Sequence, residues 1–315
     1  MSASSDNLYG AGGGERATPG SYGQPPAGVR LPEATRLGPV RLQVADLQRS
    51  QEYYTHVLGL RQAASSATSV SLAPHGDNRI LLELHEQSGA ARADGRPHWG
   101  LYHFALLLPD RASLGRFVRH LAQVGVRAGA GDHLVSEAFY LTDPDGLAIE
   151  VYADRPRDTW RRRGRELMLA TDPVQVPELL RAAGDTAWTG MPAGTVMGHV
   201  HLHVGDIATA GDFYGETIGF DRTTWSYPGA LFLGAGGYHH HVGTNTWAGA
   251  SASAPRADDA RLLAWTVELP SAADVEALAA RLEAAGHVGT FDENRVLIVV
   301  DPWGTPLRVA AAGAA

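Results

Sequence analysis

Residues 40–60 of this chain read VRLQVADLQRSQEYYTHVLGL, and residues 200–220 read VHLHVGDIATAGDFYGETIGF. Each stretch runs from an alternating apolar strand, through an Asp that can cap a helix, to a pair of aromatic residues and a Gly that ends the helix. The second stretch begins 160 positions after the first (200 against 40). A pattern that returns at a fixed distance indicates a duplicated structural unit.

Two further signals occur once in each half of the chain. The motif LPD at 108–110 and the motif LPS at 269–271 each precede an amphipathic segment that ends at a Gly. The turns DPDG at 143–146 and DPWG at 301–304 each precede a strand. Together these patterns predict an α+β fold built from βαβββ modules. We place the four modules at about 38–88, 99–153, 195–247 and 262–311.

The repeat divides the chain into four parts. Residues 1–36 are rich in Gly, Pro and Ser and lack apolar periodicity, which predicts a disordered, mobile tail. Residues 37–153 and residues 195–311 each hold two modules and are predicted to be the first and second domains. Residues 154–194 form the linker between them, and six arginines between positions 155 and 165 predict a solvated connector.

Composition excludes several classes of function. Hydrophobic residues make up 44% and charged residues 19% of the 315-residue chain, which is typical of a globular protein. The net charge of −8 disfavours a nucleic-acid partner. The chain has no Cys, which excludes disulfides, thiolate metal sites and a Cys nucleophile. We expect a cytoplasmic protein with no membrane partner, because no apolar run approaches the roughly 20 residues of a membrane helix and no signal peptide is visible.

Longer motifs connect this chain with a known family. They comprise GLYHFALLLPD at 100–110, GDHLVSE at 131–137, YADRP at 152–156, GHVHLHV at 198–204 and GYHHH at 237–241. With the four modules, these stretches resemble the vicinal oxygen chelate superfamily of glyoxalases, bleomycin resistance proteins and extradiol dioxygenases. Within it they are most similar to the bacterial catechol 2,3-dioxygenases. The resemblance covers residues 38–311 and implies paired half-barrels around a divalent metal.

The resemblance also implies a set of metal ligands. In this superfamily one ligand lies on the first strand of a module and another on the last strand. The corresponding positions here are Pro39, His103, His199 and Leu263 on first strands, with Glu150 and Arg308 on last strands. Since proline, leucine and arginine side chains do not bind a divalent cation, the implied ligands are His103, Glu150 and His199. Two imidazoles and one carboxylate form the facial triad of non-haem iron enzymes, so the expected cofactor is Fe(2+), or else Mn(2+).

Two arrangements of this site remain open. The triad requires the second module to lie beside the third. Pairing of the first module with the second, and of the third with the fourth, would separate His199 from Glu150. A rival site in the first half would use His103, Glu150 and Glu83, one imidazole with two carboxylates, as in a glyoxalase-type isomerase.

The resemblance further implies residues that move protons. Tyr140, ten residues before Glu150, would hydrogen-bond an oxygen of the substrate, and His133 would be a polar group lining the pocket. The family carries paired histidines on a strand of the third module, and the second of the pair is the acid–base residue. This places the role on His240. A shift of register would give it to His239 or His241.

The implied function is an extradiol ring-cleaving dioxygenase of aromatic hydrocarbon catabolism. It would insert O2 into catechol or a substituted catechol and give a muconic semialdehyde, so its partners would be a small aromatic diol and O2. Two alternatives use the same fold. One is a metal-dependent glyoxalase-type isomerase that consumes no oxygen, and the other is a non-catalytic protein that sequesters small molecules. The sequence does not fix the native metal, the ring substituents or whether the molecule works as a homodimer.

Overall fold

The structure is a computed structural model that describes Ser4, Leu8 and residues 13–313. Within that part, four modules follow one another, each with the predicted order of one strand, one helix and three strands. The α+β fold class predicted from the repeat is therefore confirmed.

The elements have the following bounds. Two short strands, β1 (Glu15–Arg16) and β2 (Arg36–Leu37), precede the modules. The first module comprises β3 (Val40–Val44), α1 (Leu47–His56), β4 (Arg61–Ser65), β5 (Ser69–Ala73) and β6 (Leu82–Glu86). The second comprises β7 (Gly100–Leu107), α2 (Arg111–Gln123), β8 (Gly129–Asp132), β9 (Ser136–Thr142) and β10 (Ala148–Asp154).

The connector and the second half continue in the same order. The connector contains β11 (Arg161–Arg163), β12 (Glu166–Leu167) and α3 (Val176–Ala182). The third module comprises β13 (Val196–His203), α4 (Ile207–Ala210) continued by a π-helical segment (Gly211–Ile218), β14 (Asp221–Thr224), β15 (Ala230–Gly234) and β16 (Val242–Asn245). The fourth comprises β17 (Arg261–Leu269), α5 (Ala272–Ala284), β18 (Thr290–Phe291), β19 (Leu297–Val300) and β20 (Pro306–Ala311). Single 3-10 turns occur at Ala93–Gly95 and Arg157–Thr159.

Each module helix begins at the predicted capping residue. The side chains of Asp46, Asp110 and Asp206 each accept a hydrogen bond from the backbone N–H three residues further on, at 2.6–3.0 Å. The helix of the fourth module begins at Ser271, which forms a capping box with Asp274. The longest helices, α2 and α5, have 13 residues each, and no helix in the described residues is long and apolar enough to cross a membrane.

Two large sheets are built across the halves of the chain. One has eight strands in the order β14-β15-β16-β13-β7-β10-β9-β8, and the other follows the order β18-β19-β20-β17-β3-β6-β5-β4. The first strand of each module pairs in parallel with its last strand, whereas β7 pairs antiparallel with β13, and β3 with β17. Module two therefore joins module three, and module one joins module four. The predicted domains, 37–153 and 195–311, are halves of the sequence but do not form separate barrels.

Sequential modules are instead linked by two equivalent hydrogen bonds. The hydroxyl of Tyr54 in α1 donates to Oδ2 of Asp143 at 2.9 Å, and that of Tyr214 donates to Oδ2 of Asp301 at 2.8 Å. All four side chains are buried. The tyrosines belong to the repeated aromatic pairs, and the aspartates belong to the repeated Asp-Pro turns. These bonds therefore connect modules one with two and three with four.

Residues 13–36 do not form the mobile tail that the composition predicts. Strand β1 pairs with β11, Leu31 is buried, and Nε of Arg30 donates to Oδ1 of Asp221 at 2.7 Å. The prediction is wrong for this segment because its order comes from contacts with the connector and the third module, not from a periodicity of its own. Apart from Ser4 and Leu8, residues 1–12 of the predicted tail lie outside the described residues.

The connector is packed rather than solvated. Trp160 and Leu167 are buried, and the Trp160 indole donates to the carbonyl oxygen of Arg155 at 3.0 Å. Helix α3 lies close against α2, since a Cβ at Gly115 would lie 2.4 Å from the carbonyl oxygen of Leu179. The arginine run predicts an exposed segment. The apolar residues between and after the arginines, however, are buried against the sheet.

We expect Tyr54→Phe to destabilise the protein in a pH-dependent way. Burial raises the pKa of Asp143 to about 6, so ionisation of this carboxyl costs stability as the pH rises from about 4 through 6. The Tyr54 hydroxyl limits that cost by donating to the ionised form. Without it, the free energy of unfolding should fall by about 1–3 kcal/mol at pH 8 and by less at pH 4.5, as measured by urea denaturation.

The matched control is Tyr53→Phe. The Tyr53 hydroxyl is buried and has no hydrogen-bond partner among the described residues, so its removal should change the stability by less than about 0.5 kcal/mol. An equal loss at both pH values in Tyr54→Phe would contradict the role assigned to the ionised Asp143.

Candidate metal centre

Three central strands of the eight-stranded sheet bring His103, Glu150 and His199 together. Strand β10 pairs with one edge of β7 and β13 with the other, and the two registers place Glu150 and His199 on either side of Ala105. Side chains two positions apart on a strand share a face, so His103 joins them from β7 itself. The sheet therefore supplies one ligand candidate from each of three adjacent strands.

The ligand atoms form a compact triangle. Nε2 of His103 lies 3.0 Å from Oε2 of Glu150 and 3.2 Å from Nε2 of His199, and the remaining side is 3.2 Å. The three residues are 5%, 2% and 2% exposed in the order His103, Glu150, His199. Two ligands at right angles on an ion at about 2.1 Å lie about 3.0 Å apart, so the triangle fits one face of an octahedral site. In the described part of the chain this is the one such group of three or more His, Asp or Glu residues.

The protonation states of the triangle suit a cation. Burial lowers the pKa of His199 to about 4, so this imidazole is neutral at pH 7. Burial acts to raise the pKa of Glu150, but the adjacent imidazoles of His199 and His103 hold it well below its usual range. A neutral imidazole beside an ionised carboxylate is the combination that metal binding requires, and two nitrogens with one oxygen suit Fe(II) or Mn(II).

A bulge in β13 brings His199 to this position. The pairing with β7 shifts register between Met197 and His199, and Gly198 lies at the shift. A Cβ on Gly198 would lie 1.9 Å from the hydroxyl oxygen of Tyr152, which is itself fully buried. The missing side chain at Gly198 therefore leaves room over β13 for the Tyr152 side chain, which reaches there from β10, while His199 faces Glu150.

Tyr140 and His133 lie together beside the triangle. Tyr140 is paired with Glu150 across β9 and β10, and its hydroxyl lies 2.6 Å from Nε2 of His133. Nδ1 of His133 lies 2.6 Å from the carbonyl oxygen of Ala170, which can only accept, so Nδ1 carries the hydrogen. In the neutral ring Nε2 then accepts from Tyr140. Burial and the nearby Glu150 raise the pKa of Tyr140 well above its usual range, which keeps the phenol protonated.

The histidine run lies in the connection between β15 and β16, not on a strand as expected. Within the run, His240 lines the cavity, and its ring centroid lies 4.1 Å from that of His199. His239 is fully buried behind it, while Nδ1 of His241 accepts a hydrogen bond from the backbone of Ala235 at 3.1 Å. Burial lowers the pKa of His240 well below its usual range, so the ring is neutral at pH 7. His240, which the resemblance implies as the acid–base residue, therefore lies at the site.

The triangle opens into a cavity of about 940 Å³. Its wall includes residues that sequence reasoning did not assign: Tyr102, Leu169, Thr171, Tyr227, Phe232 and Trp247. Trp247 is 45% exposed, which places it at the cavity mouth. The described lining contains no arginine. The apolar run at 167–170, directly after the arginine-rich stretch, was the available signal that this segment packs against the site.

The rival ligand Glu83 lies elsewhere. It belongs to β6 in the other sheet, where its Oε2 lies 2.8 Å from Nε of Arg41. With Pro39 and Arg308 it lines a cavity of only about 70 Å³. The alternative site that combined Glu83 with the His and Glu of module two is therefore wrong, because β6 and β7 lie in different sheets.

This chain matches a known protein family and a named relative. The family model described as the Glyoxalase/Bleomycin resistance protein/Dioxygenase superfamily matches residues 36–151 and 196–307. A relative from Bacillus subtilis (strain 168) named catechol-2,3-dioxygenase is 43% identical over 265 residues, which cover 83% of this chain and 92% of the relative.

Solved structures show the same fold. A Bacillus subtilis protein proposed to be a dioxygenase has a TM-score of 0.64 at 13% identity, covering 90% of this chain and 87% of that chain. Glyoxalase I from Zea mays has a TM-score of 0.51 at 16% identity, covering 88% and 92%. At such low identity these two structures show the fold alone. The family match and the 43% identical relative, however, confirm the resemblance: this chain belongs to the glyoxalase/bleomycin resistance protein/dioxygenase superfamily.

Proposed function

We propose that this protein is a non-haem Fe(II)-dependent extradiol dioxygenase of the catechol 2,3-dioxygenase type. It inserts O2 into catechol or a substituted catechol and gives a muconic semialdehyde. The observation that carries this proposal is the buried triangle of His103, Glu150 and His199, hereafter the triad, in a chain 43% identical to a relative named catechol-2,3-dioxygenase. A facial triad of this composition leaves neighbouring positions open for substrate and O2.

The triad would hold the ion, and other side chains would handle protons. When bound, Fe(II) or Mn(II) supplies adjacent positions for the two substrate oxygens and for O2, together with the electron transfer between them. Tyr140 presents its phenol oxygen beside Glu150, where it can hydrogen-bond a substrate oxygen. His240 lies beside His199 as a neutral imidazole, which can take a proton from a substrate hydroxyl and later return it.

The cavity supports a catechol with uncharged substituents. At about 940 Å³ it is larger than a single diol ring requires, and Tyr102, Phe232 and Trp247 provide aromatic contact. The charged group in the described lining is Glu150. A carboxylate on the substrate ring would be buried beside this anion without an arginine to pair with, which is costly. Alkyl or aryl substituents meet no such penalty.

The decisive experiment measures ring cleavage directly. The protein is first loaded with Fe(II) in the absence of oxygen and is then mixed with catechol and air. Oxygen uptake is recorded together with the absorbance of the yellow semialdehyde. We expect one O2 consumed per product formed. In His199→Ala and Glu150→Ala, kcat/KM should fall by more than about 100-fold, because even outer contacts of a metal site are worth 10–100-fold.

Glu83→Gln is the matched control, since it changes a carboxylate in the other sheet and should leave the rate unchanged. Absence of uptake by protein that carries one ion per chain would contradict the proposal and indicate an isomerase. Absence of any bound metal would indicate a sequestering protein.

A second prediction concerns the ion itself. Equilibrium dialysis against Mn(II), followed by elemental analysis, should show one ion per chain. In His103→Ala the affinity should fall by more than about 100-fold. In His203→Ala, which changes another histidine of the same cavity outside the triad, one ion should still bind. Equal loss in both variants would contradict the ligand assignment.

A third prediction concerns Tyr140. Tyr140→Phe should lower kcat by about 100-fold, because the substrate loses the phenol oxygen that accepts a hydrogen bond from its hydroxyl, while the metal content stays at one ion per chain. Steady-state kinetics with metal analysis of the same sample measure both quantities. Tyr53→Phe, the same chemical change away from the site, is the control. An unchanged kcat in Tyr140→Phe would remove Tyr140 from the mechanism.

A further inference from the structure

Behind His240 lies a chain of buried groups that the reaction described above does not use. Nδ1 of His240 lies 2.7 Å from Nδ1 of His239, and Nε2 of His239 lies 3.0 Å from Oδ1 of Asp154. His239 is fully buried, and the Asp154 side chain is 25% exposed. The chain leads from the end of β10 to the cavity wall.

The chemistry of the three groups sets the direction of each hydrogen bond. A carboxylate only accepts, so Nε2 of His239 donates to Asp154. In the neutral form of His239 the single N–H is on Nε2, so Nδ1 holds a lone pair and accepts from Nδ1 of His240. The hydrogen of His240 is thereby placed on Nδ1. Its Nε2, on the side of the ring away from His239, is left with a lone pair.

The surroundings of His239 prevent the ring from turning. Its centroid lies 4.1 Å from that of Tyr238 and 5.5 Å from that of Trp160. The Thr223 hydroxyl donates to the His239 carbonyl oxygen at 2.6 Å, which fixes the backbone as well. With the ring plane held in this way, the tautomer of His239 is decided by the group that faces its Nε2, which is Asp154.

We infer that Asp154 and His239 are positioning residues that hold His240 in its Nδ1–H tautomer, with Nε2 presented to the cavity as a proton acceptor. The catalytic use of this arrangement rests on the proposed function, whereas the tautomer does not. In the reaction, an O–H bond of the substrate breaks, the electron pair stays on oxygen, and the proton forms an N–H bond with Nε2 of His240. The imidazolium so formed is stabilised through His239 by the Asp154 carboxylate, and the proton returns to the product.

Replacing Asp154 with Asn permits the opposite arrangement. The amide NH2 can donate to Nε2 of His239, whose Nδ1 then carries the hydrogen and donates to Nδ1 of His240. The hydrogen of His240 moves to Nε2, and that atom can no longer accept a proton. The size and shape of the side chain stay almost the same, so the variant separates the tautomer from the packing.

The tautomer can be observed without turnover. Nitrogen NMR of the full-length protein with ¹⁵N-labelled histidine, both metal-free and loaded with diamagnetic Zn(II), reports which nitrogen of each ring is protonated. We expect His240 to show a protonated Nδ1 and an unprotonated Nε2, and the two signals to exchange roles in Asp154→Asn. A protonated Nε2 in the wild-type protein would overturn the inference even if no variant folds.

Kinetics of the Fe(II)-loaded enzyme give the second readout. In Asp154→Asn, kcat should fall by about 100-fold or more with KM and metal content unchanged, as expected when a base is held in the wrong tautomer. Asp292→Asn, the same change in a carboxylate that pairs with Arg308 in the other sheet, should leave kcat unchanged. A folded Asp154→Asn protein with normal kcat, or with His240 still in the Nδ1–H form, would overturn the inference. If the wild-type protein cleaves no catechol, the proposed function fails, while the NMR measurement still tests the positioning role.

Discussion

The antiparallel pairing of β7 with β13 is the contact on which the rest of the site depends. It joins the second module to the third and lays His199 and Glu150 on either side of Ala105, although His103 and His199 are 96 positions apart in the chain. Ala105 contributes only a methyl group to the face that the triad residues share. Had each module paired with its sequence neighbour, β7 would lie beside a strand of module one, and His199 would be missing from the triad.

The fold provides the same scaffold twice, but among the described residues the triad lies in one of the two sheets. In the sheet of modules one and four, the corresponding space is about 70 Å³ and is lined by Pro39, Arg308 and the Arg41–Glu83 ion pair. That sheet still stabilises the other through the Tyr–Asp bonds between sequential modules. A shared fold therefore does not establish an activity, which depends on the side chains in one particular sheet.

The connector between the halves contributes directly to the site. Its Ala170 carbonyl holds the hydrogen of His133 on Nδ1, so that Nε2 accepts from Tyr140, and Leu169 and Thr171 form part of the cavity wall. Asp154, where β10 passes into the connector, faces His239 behind the other candidate proton-transfer residue. On both sides of the triad, therefore, a group that cannot donate sets the hydrogen-bond direction of an imidazole.

The sequence by itself determined the four modules and their helix caps, and through the resemblance it predicted the three residues that the structure brings together as the triad. Those features depend on strand alternation, capping side chains and turn residues, which act within one module. It could not decide how the modules pair, because both pairings satisfy the same local patterns, nor the packing of residues 13–36, which have no periodicity of their own. The tertiary structure alone decided the module pairing, the packing of residues 13–36 and the position of His240 at the cavity. Each of these features depends on which distant strands and loops come into contact.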